Sequence, residues 1–213
     1  MTTLQEVSSA VENGKSKLVG DLVNKALEEG LDPAEILNEG MIKAMGVVGE
    51  KFKNNEIFVP EMLIAARAMK KGVEVLTPAL KKQGVEPIGI VILGTVAGDL
   101  HDIGKNLVGM MIEGAGFKVL DLGVDVPPEK FIEVMKANPD CKVVALSALL
   151  TSTMPAITST IKAIEESGLR GTVKIMVGGA PVTQAFADEI GADGYSEDAA
   201  SAAELALSLY GAK

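Results

Sequence analysis

The chain has 213 residues, of which 47% are hydrophobic and 23% charged, and its formal net charge is −9. This composition is typical of a globular protein with room for two modest domains, and the negative charge disfavours nucleic acids and anionic membrane surfaces as partners. With Cys141 as the sole cysteine, no secretory signal and no apolar stretch of ~20 residues, we expect a cytoplasmic protein that does not span a membrane.

The N-terminal part, residues 1–84, carries the apolar spacing of amphipathic helices and almost no strand pattern. One helical stripe begins near Leu18 and stops at Gly30. Pro33, preceded by an aspartate, is a typical first residue of a helix, and Pro60 begins another apolar stripe. We therefore predict an N-terminal four-helix bundle.

After a short linker at residues 84–87, apolar runs alternate with helical segments over the rest of the chain. Strands that alternate with helices form parallel sheets covered on both faces, so we predict a doubly wound, five-stranded parallel domain of Rossmann-like or flavodoxin-like class over residues 85–213. The predicted strands cover residues 88–94, 118–122, 143–147, 173–177 and 194–195. The predicted helices cover residues 104–114, 128–136, 155–166, 182–190 and 198–210.

The only histidine, His101, follows the first predicted strand and precedes a predicted helix. Open α/β sheets bind ligands at this kind of position. One imidazole cannot build a multi-histidine metal site, but Asp99 could hold one ring nitrogen and leave the other free to bind a metal. The local sequence is equally compatible with His101 being a surface residue beside a helix cap that Asp99 or Asp102 makes.

A phosphate-binding loop does not fit the same segment. Gly98 and Gly104 are separated by five residues instead of four, and Asn106 follows Lys105 where that motif has a hydroxyl. No Gly-x-Gly-x-x-Gly pattern follows the first strand either, which disfavours a dinucleotide site.

Two further strand ends carry small or hydroxyl-bearing residues. The third strand leads into a run of hydroxyls between Ser147 and Thr153, and the fourth ends at Gly178 and Gly179. Each alone is compatible with ordinary turn chemistry.

Taken together, the three strand ends resemble a known signature. Asp99-x-His101-x-x-Gly104, then Ser147-x-Leu149, then Gly178-Gly179 are similar in order, spacing and placement to the cobalamin-binding signature of methionine synthase and of methyltransferase corrinoid proteins. The helical half, including residues 55–62, resembles the cap module of these proteins. At this length, the chain most resembles the small corrinoid proteins of methylamine, methanol or O-demethylase systems.

The resemblance implies roles for individual residues. His101 would be the lower axial ligand of cobalt, displacing the cofactor's own dimethylbenzimidazole, and Asp99 would hydrogen-bond the far ring nitrogen. Thr153 would extend this relay. The slot for the detached nucleotide tail would be lined or kept open by Ser147, Leu149, Gly178, Gly179 and, by its position, Gly94.

The resemblance also implies a function. Cobalamin, alternating between cob(I)alamin and methylcobalamin, would accept a methyl group from a substrate-specific methyltransferase. It would pass that group to a second methyltransferase acting on tetrahydrofolate or a thiol, with a reductive activator as a further partner. Phe58, Met62 and Met69 are candidates to shield the methyl group, and residues 84–87 could act as a hinge. No residue marks acid–base catalysis of its own, so we expect a carrier subunit.

Two alternatives stay open from the sequence. One keeps cobalamin but places the chain in another system, as the B12-binding subunit of a mutase or as a light sensor. Against these stand the helical half, the absence of tryptophan and the lack of a DNA-binding segment. The other is a flavodoxin-like module that binds no cofactor.

Overall fold

The structure, a computed structural model, describes residues 2–211 and divides into two compact units. The helical unit runs to Pro87 and includes Glu113–Gly116. The sheet unit comprises Ile88–Ile112 and continues from Phe117. The division along the chain thus falls at the end of the predicted linker. The outer ends of the two predicted domains, residues 1 and 213, lie outside the described residues.

The predicted four-helix bundle is confirmed by the helices of the first unit. These are α1 (Thr3–Glu12), α2 (Ser16–Glu28), α3 (Pro33–Glu35), which continues through the π-helical segment Ile36–Ile42 into α4 (Lys43–Lys53), and α5 (Val59–Gln83). Since α3, the π-helical segment and α4 follow one another without a break, they count as one helical rod. No helix among residues 2–211 has the length and apolar character needed to cross a bilayer.

Local chemistry explains where two of these helices begin and how closely two others approach. Thr2 and Gln5 form a reciprocal capping box at the start of α1. Asp32 accepts a hydrogen bond from the Ala34 N–H at 2.8 Å just before Pro33. In α5, a Cβ atom on Gly72 would lie 2.7 Å from the Val19 side chain of α2, so glycine permits the close contact of the two helices.

The sheet unit has the predicted doubly wound architecture. Its strands are β1 (Ile90–Thr95), β2 (Lys118–Asp121), β3 (Cys141–Ser147), β4 (Lys174–Gly178) and β5 (Gly194–Ser196), all parallel and ordered β2-β1-β3-β4-β5. Its helices are α6 (Ile103–Gly114), α7 (Pro128–Ala137), α8 (Met154–Glu166), α9 (Gln184–Glu189) and α10 (Ala199–Tyr210), with a 3₁₀ turn at Arg170–Thr172. The order of the strands is that of flavodoxin-like sheets.

The carboxyl ends of four strands form one row across the sheet. Thr95 is the register partner of Ser147, Ser147 of Gly178, and Gly178 of Ser196. The strand order reverses between β1 and β3, and ligands of such sheets bind outside the carboxyl ends at this switch point. The loops after β1 and β3 are therefore the first place to look for a site.

Phe131 of α7 packs against β1 because residue 94 is glycine. The Phe131 ring is fully buried. A Cβ atom on Gly94 would lie 2.7 Å from its Cζ atom, which is closer than real Cβ atoms approach other heavy atoms. The same core includes buried apolar residues of three strands and of α8: Ile92, Val144, Leu146, Ile175, Val177, Ile157, Ile161 and Ile164.

We expect Gly94→Ala to lower the free energy of unfolding by about 1–3 kcal/mol, because the added methyl group overpacks the Phe131 ring. Phe131→Leu in the same chain should relieve that clash, so the double variant should lose less than the sum of the two single variants. Urea unfolding measures all three. Gly104→Ala, where a Cβ atom meets nothing within 4 Å, is the matched control. Additive losses would contradict the packing explanation.

Candidate functional site

The candidate site lies at the switch point and is built from two loops. The β1 loop, residues 96–102, carries Asp99 and His101, and the β3 loop, residues 148–153, carries Leu149 and Thr153. A fully buried carboxylate, that of Asp99, joins them.

Both oxygens of the Asp99 carboxylate are engaged. Oδ1 lies 2.7 Å from His101 Nδ1 and accepts the His101 main-chain N–H at 3.0 Å. Oδ2 accepts the Thr153 hydroxyl at 2.6 Å and the N–H groups of Leu149 and Leu150 at 2.8 and 3.4 Å. The structure therefore brings together the predicted relay of His101, Asp99 and Thr153.

These hydrogen bonds keep Asp99 ionised despite its burial. Burial by itself raises the pKa of the Asp99 carboxyl. The hydrogen bonds from Thr153, Leu149 and His101 outweigh that effect and hold its pKa well below the usual value of an aspartate. A buried charge surrounded by donors in this way behaves as a fixed acceptor.

The ionised carboxylate determines the tautomer of His101. A carboxylate can only accept, so the proton of the neutral imidazole must sit on Nδ1, and Nε2 carries the free lone pair. About half of the His101 side chain, 48%, is exposed. Among residues 2–211 no group hydrogen-bonds to Nε2. The site thus presents one oriented nitrogen donor to a ligand.

The loop after β2 also holds the β1 loop, which the sequence did not reveal. The Asp125 carboxylate accepts the Gly98 N–H at 2.7 Å, and its own N–H donates to the Asp99 carbonyl at 2.9 Å. Thr95, at the end of β1, donates its hydroxyl to the His101 carbonyl at 2.9 Å. The main chain on both sides of Asp99 is therefore fixed before any ligand arrives.

Large apolar side chains surround His101 on the outside. Leu100 is 72% exposed and Ile103 79% exposed, and Leu149 and Leu150 are also exposed. Three of these residues lie in the two loops and Ile103 is the first residue of α6, and together they form an apolar surface beside the nitrogen donor. Exposed apolar surface of this kind often marks a ligand site.

The predicted slot residues Ser147, Gly178 and Gly179 differ in the groups that lie next to them. Ser147 is half-buried, and its hydroxyl has no hydrogen-bond partner among the described residues. A Cβ atom on Gly178 would lie 3.3 Å from the Ser196 carbonyl oxygen, and one on Gly179 only 1.9 Å from the Ala148 carbonyl oxygen. Gly179, with a φ of +123°, is thus required by the approach of two backbone segments.

Gly94 and Gly104 contrast with each other. The space beside Gly94 is filled by Phe131, so glycine there permits core packing, and the role of Gly94 in keeping the slot open stays a prediction. Gly104 is exposed, and a Cβ atom on it would meet nothing within 4 Å. The protein's own atoms therefore leave the space beside Gly104 open.

The three predicted shielding residues lie in the helical unit. Phe58 precedes α5 and is 65% exposed, whereas Met62 and Met69 of α5 are buried. Phe58 is the one whose side chain is accessible in this structure. The shielding role of all three stays a prediction.

Both units match families of known proteins. The B12 binding domain family matches residues 89–204, and a second family, also described as a B12 binding domain, matches residues 3–77. These two stretches correspond to the sheet unit and the helical unit.

Three individual proteins are similar over nearly the whole chain. The trimethylamine corrinoid protein of Methanosarcina barkeri is 44% identical over 198 residues, 92% of this chain and 91% of that protein. A cobalamin-binding protein from Desulfitobacterium hafniense superposes with a TM-score of 0.81 at 30% identity, covering 98% and 99% of the two chains. A chain of the methanol:cobalamin methyltransferase complex from Methanosarcina barkeri superposes with a TM-score of 0.84 at 28% identity, covering 99% of this chain and 80% of that one.

The low pKa of Asp99 predicts a pH-dependent stability difference. Its folded pKa lies below the unfolded value of ~3.9, so its contribution to stability is fully present above about pH 4 and is lost as the pH falls further. Asp99→Asn should therefore lower the free energy of unfolding by about 2 kcal/mol at pH 7, and by progressively less below pH 4. Urea unfolding of the ligand-free protein from pH 7 to pH 3 measures the difference.

The exposed neighbour Asp102 offers a matched control for this measurement. Asp102→Asn should change stability by less than about 0.5 kcal/mol at every pH tested. A difference between wild type and Asp99→Asn that stays constant from pH 7 to pH 3 would contradict the assignment of a low folded pKa.

Proposed function

Because the chain belongs to the B12-binding corrinoid proteins of methyltransferase systems, we propose that it carries methyl groups between two methyltransferases on a cobalamin bound base-off and ligated by His101. The observation that carries the proposal is the half-exposed His101, whose Nδ1 is held by the buried Asp99 carboxylate and whose Nε2 is free. A metal ligand with its other ring nitrogen on a carboxylate is the usual arrangement of a ligating histidine.

The residues around His101 suit a large, mainly apolar ring. Leu100, Ile103 and Leu149 are exposed beside the imidazole, and the space next to Gly104 is open. A surface histidine that merely capped a helix would need none of these features. We therefore expect the corrin ring to rest on this apolar surface, with His101 as the protein ligand of its cobalt.

The relay through Asp99 gives the chain control over His101 as a ligand. The carboxylate accepts a hydrogen bond from Nδ1–H, which fixes the orientation of the ring and leaves the Nε2 lone pair for the metal. The Thr153 hydroxyl and two main-chain N–H groups share the same carboxylate, so they moderate its pull on the imidazole. When bound, cobalamin supplies the cobalt that takes up and gives away the methyl group, alternating between methylcobalamin and cob(I)alamin.

We propose that the row of small residues at the carboxyl edge of the sheet binds the detached nucleotide tail. The unpartnered Ser147 hydroxyl is available to a polar group of the tail, and Gly178 and Ser196 lie in register beside it. Buried polar groups of a ligand need such partners. We add Ser196 to the slot residues predicted from the sequence because it is the register partner of Gly178.

The proposed partners follow from the carrier role. One methyltransferase would supply the methyl group and a second would remove it to tetrahydrofolate or a thiol, while a reductive activator would restore the reduced cofactor. The relatives include a trimethylamine corrinoid protein and a chain of a methanol:cobalamin methyltransferase complex, and the methyl donor of this chain would be set by its partner enzyme. The unpaired, buried Cys141 suits a cytoplasmic location.

Electron paramagnetic resonance of bound cob(II)alamin tests the ligation by His101. We expect the cobalt signal to show coupling to one axial nitrogen, split into a triplet by nitrogen-14. In protein labelled uniformly with nitrogen-15 and loaded with unlabelled cofactor, the triplet should become a doublet. Because the chain has one histidine, the imidazole nitrogen responsible can only be that of His101.

His101→Ala should abolish the coupling to a protein nitrogen and weaken cob(II)alamin binding by at least about tenfold. Lys130→Ala, on the surface of α7 and outside both loops of the site, is the control and should retain both properties. A triplet that persists in labelled wild-type protein would show that the cofactor keeps its own base and would overturn the proposed ligation.

A further inference from the structure

Lys105 is a buried cation that the proposed mechanism does not use. It lies in the first turn of α6 and is only 3% exposed. Its ammonium donates to Oδ1 of Asp121 at 2.6 Å, contacts Oδ2 of the same carboxylate, and donates to Oδ1 of Asn106 at 2.8 Å. A buried ammonium without partners would be very unfavourable, so these three contacts hold Lys105 in one place.

The contacts of Lys105 continue to the residue after His101. The Asn106 side-chain amide donates to Oδ2 of Asp102 at 3.1 Å, and the Asn106 main-chain N–H donates to the Asp102 carbonyl at 2.7 Å. Asp121, Lys105, Asn106 and Asp102 thus form a continuous chain of hydrogen bonds, the lysine network. It runs from the carboxyl end of β2 to the peptide that follows His101.

His101 is therefore held on both sides by different strands. The residue two before it, Asp99, is fixed to the β3 loop, and the residue after it, Asp102, is joined through the lysine network to β2. The side chains of Leu100 and Ile103 are mostly exposed and contribute little packing that could hold the loop. Hydrogen bonds must then supply the rigidity that apolar contacts supply elsewhere.

We propose that Lys105 is a positioning residue for cofactor ligation, since its ammonium ties Asp102, and with it the His101 side of the β1 loop, to the end of β2. This inference rests on the proposed ligation by His101. A ligand nitrogen must be held within a fraction of an ångström of its productive position, and groups that orient a ligand typically change metal affinity by about 10–100-fold when removed.

Two variants test the proposal. Lys105→Met removes the charge and all donors while keeping most of the length of the side chain. Asp121→Asn weakens the same contact from its partially exposed partner, whose side chain is 43% exposed, and still offers the Lys105 ammonium an amide oxygen as an acceptor. We expect Lys105→Met to weaken cob(II)alamin binding about tenfold and to lower the fraction of bound cofactor that shows protein-nitrogen coupling. Asp121→Asn should act in the same direction with a smaller effect.

Lys130→Met is the matched control. It removes a lysine of the same unit that pairs with Glu133 at 2.9 Å on the surface of α7, and it should change neither affinity nor the nitrogen-coupled fraction. Urea unfolding of each ligand-free variant shows which are folded. If Lys105→Met does not fold, Asp121→Asn decides the question.

The outcomes separate this inference from the proposed function. Wild-type protein that shows no protein-nitrogen coupling would overturn the His101 ligation itself. If the wild type shows the coupling, and the folded variants keep both the same coupled fraction and the same cob(II)alamin affinity, the role of Lys105 alone would be overturned. A fall in the coupled fraction with Lys130→Met unaffected is the result that we expect.

Discussion

The candidate site depends on one buried negative charge, the carboxylate of Asp99. Burial alone would favour its neutral form, and hydrogen bonds from two loops reverse that preference. The charge then acts on both loops at once, because the β1 loop reaches Oδ1 and the β3 loop reaches Oδ2. It joins the loops at the switch point of the sheet and sets the proton position on His101. Without an ionised Asp99 the imidazole would have no preferred tautomer and the loops no common anchor.

Around Asp99, hydrogen bonds keep the main chain rigid while apolar side chains stay accessible to a ligand. Thr95 and Asp125 hold the main chain of the β1 loop by hydrogen bonds, which frees Leu100 and Ile103 from packing inward. Those side chains can then remain exposed as an apolar surface for a ligand. Packing could hold the loop only by burying these side chains. Because hydrogen bonds hold the loop instead, its apolar side chains can stay exposed.

Much of this architecture was predictable because its signals are local. Five strands and five helices of the sheet unit followed from apolar periodicity, and the relay residues followed from a spacing that resembles a known signature. The apolar spacing does not identify helix α1 individually, although Thr2 and Gln5 have the spacing of a capping box. The cofactor-free alternative fails because both units match B12-binding families.

What the sequence could not show depends on contacts between distant residues. Lys105 and Asp121 are 16 positions apart, and only the pairing of β1 with β2 brings them together. The same holds for Asp125 with Gly98 and for Phe131 with Gly94. In the last case, a glycine predicted by its position at a strand end to keep a slot open also permits the packing of Phe131. Ser196 likewise joins the carboxyl edge only through the register of β5.

The most direct test of the account is the tautomer of His101 in the ligand-free protein. A long-range proton–nitrogen correlation spectrum of uniformly labelled protein contains the signals of one imidazole, since the chain has one histidine. At a pH where the ring is neutral, we expect a protonated Nδ1 and an unprotonated Nε2, and loss of that preference in Asp99→Asn. A ring protonated on Nε2, or a wild-type spectrum that Asp99→Asn leaves unchanged, would contradict the claim that Asp99 prepares His101 as a ligand.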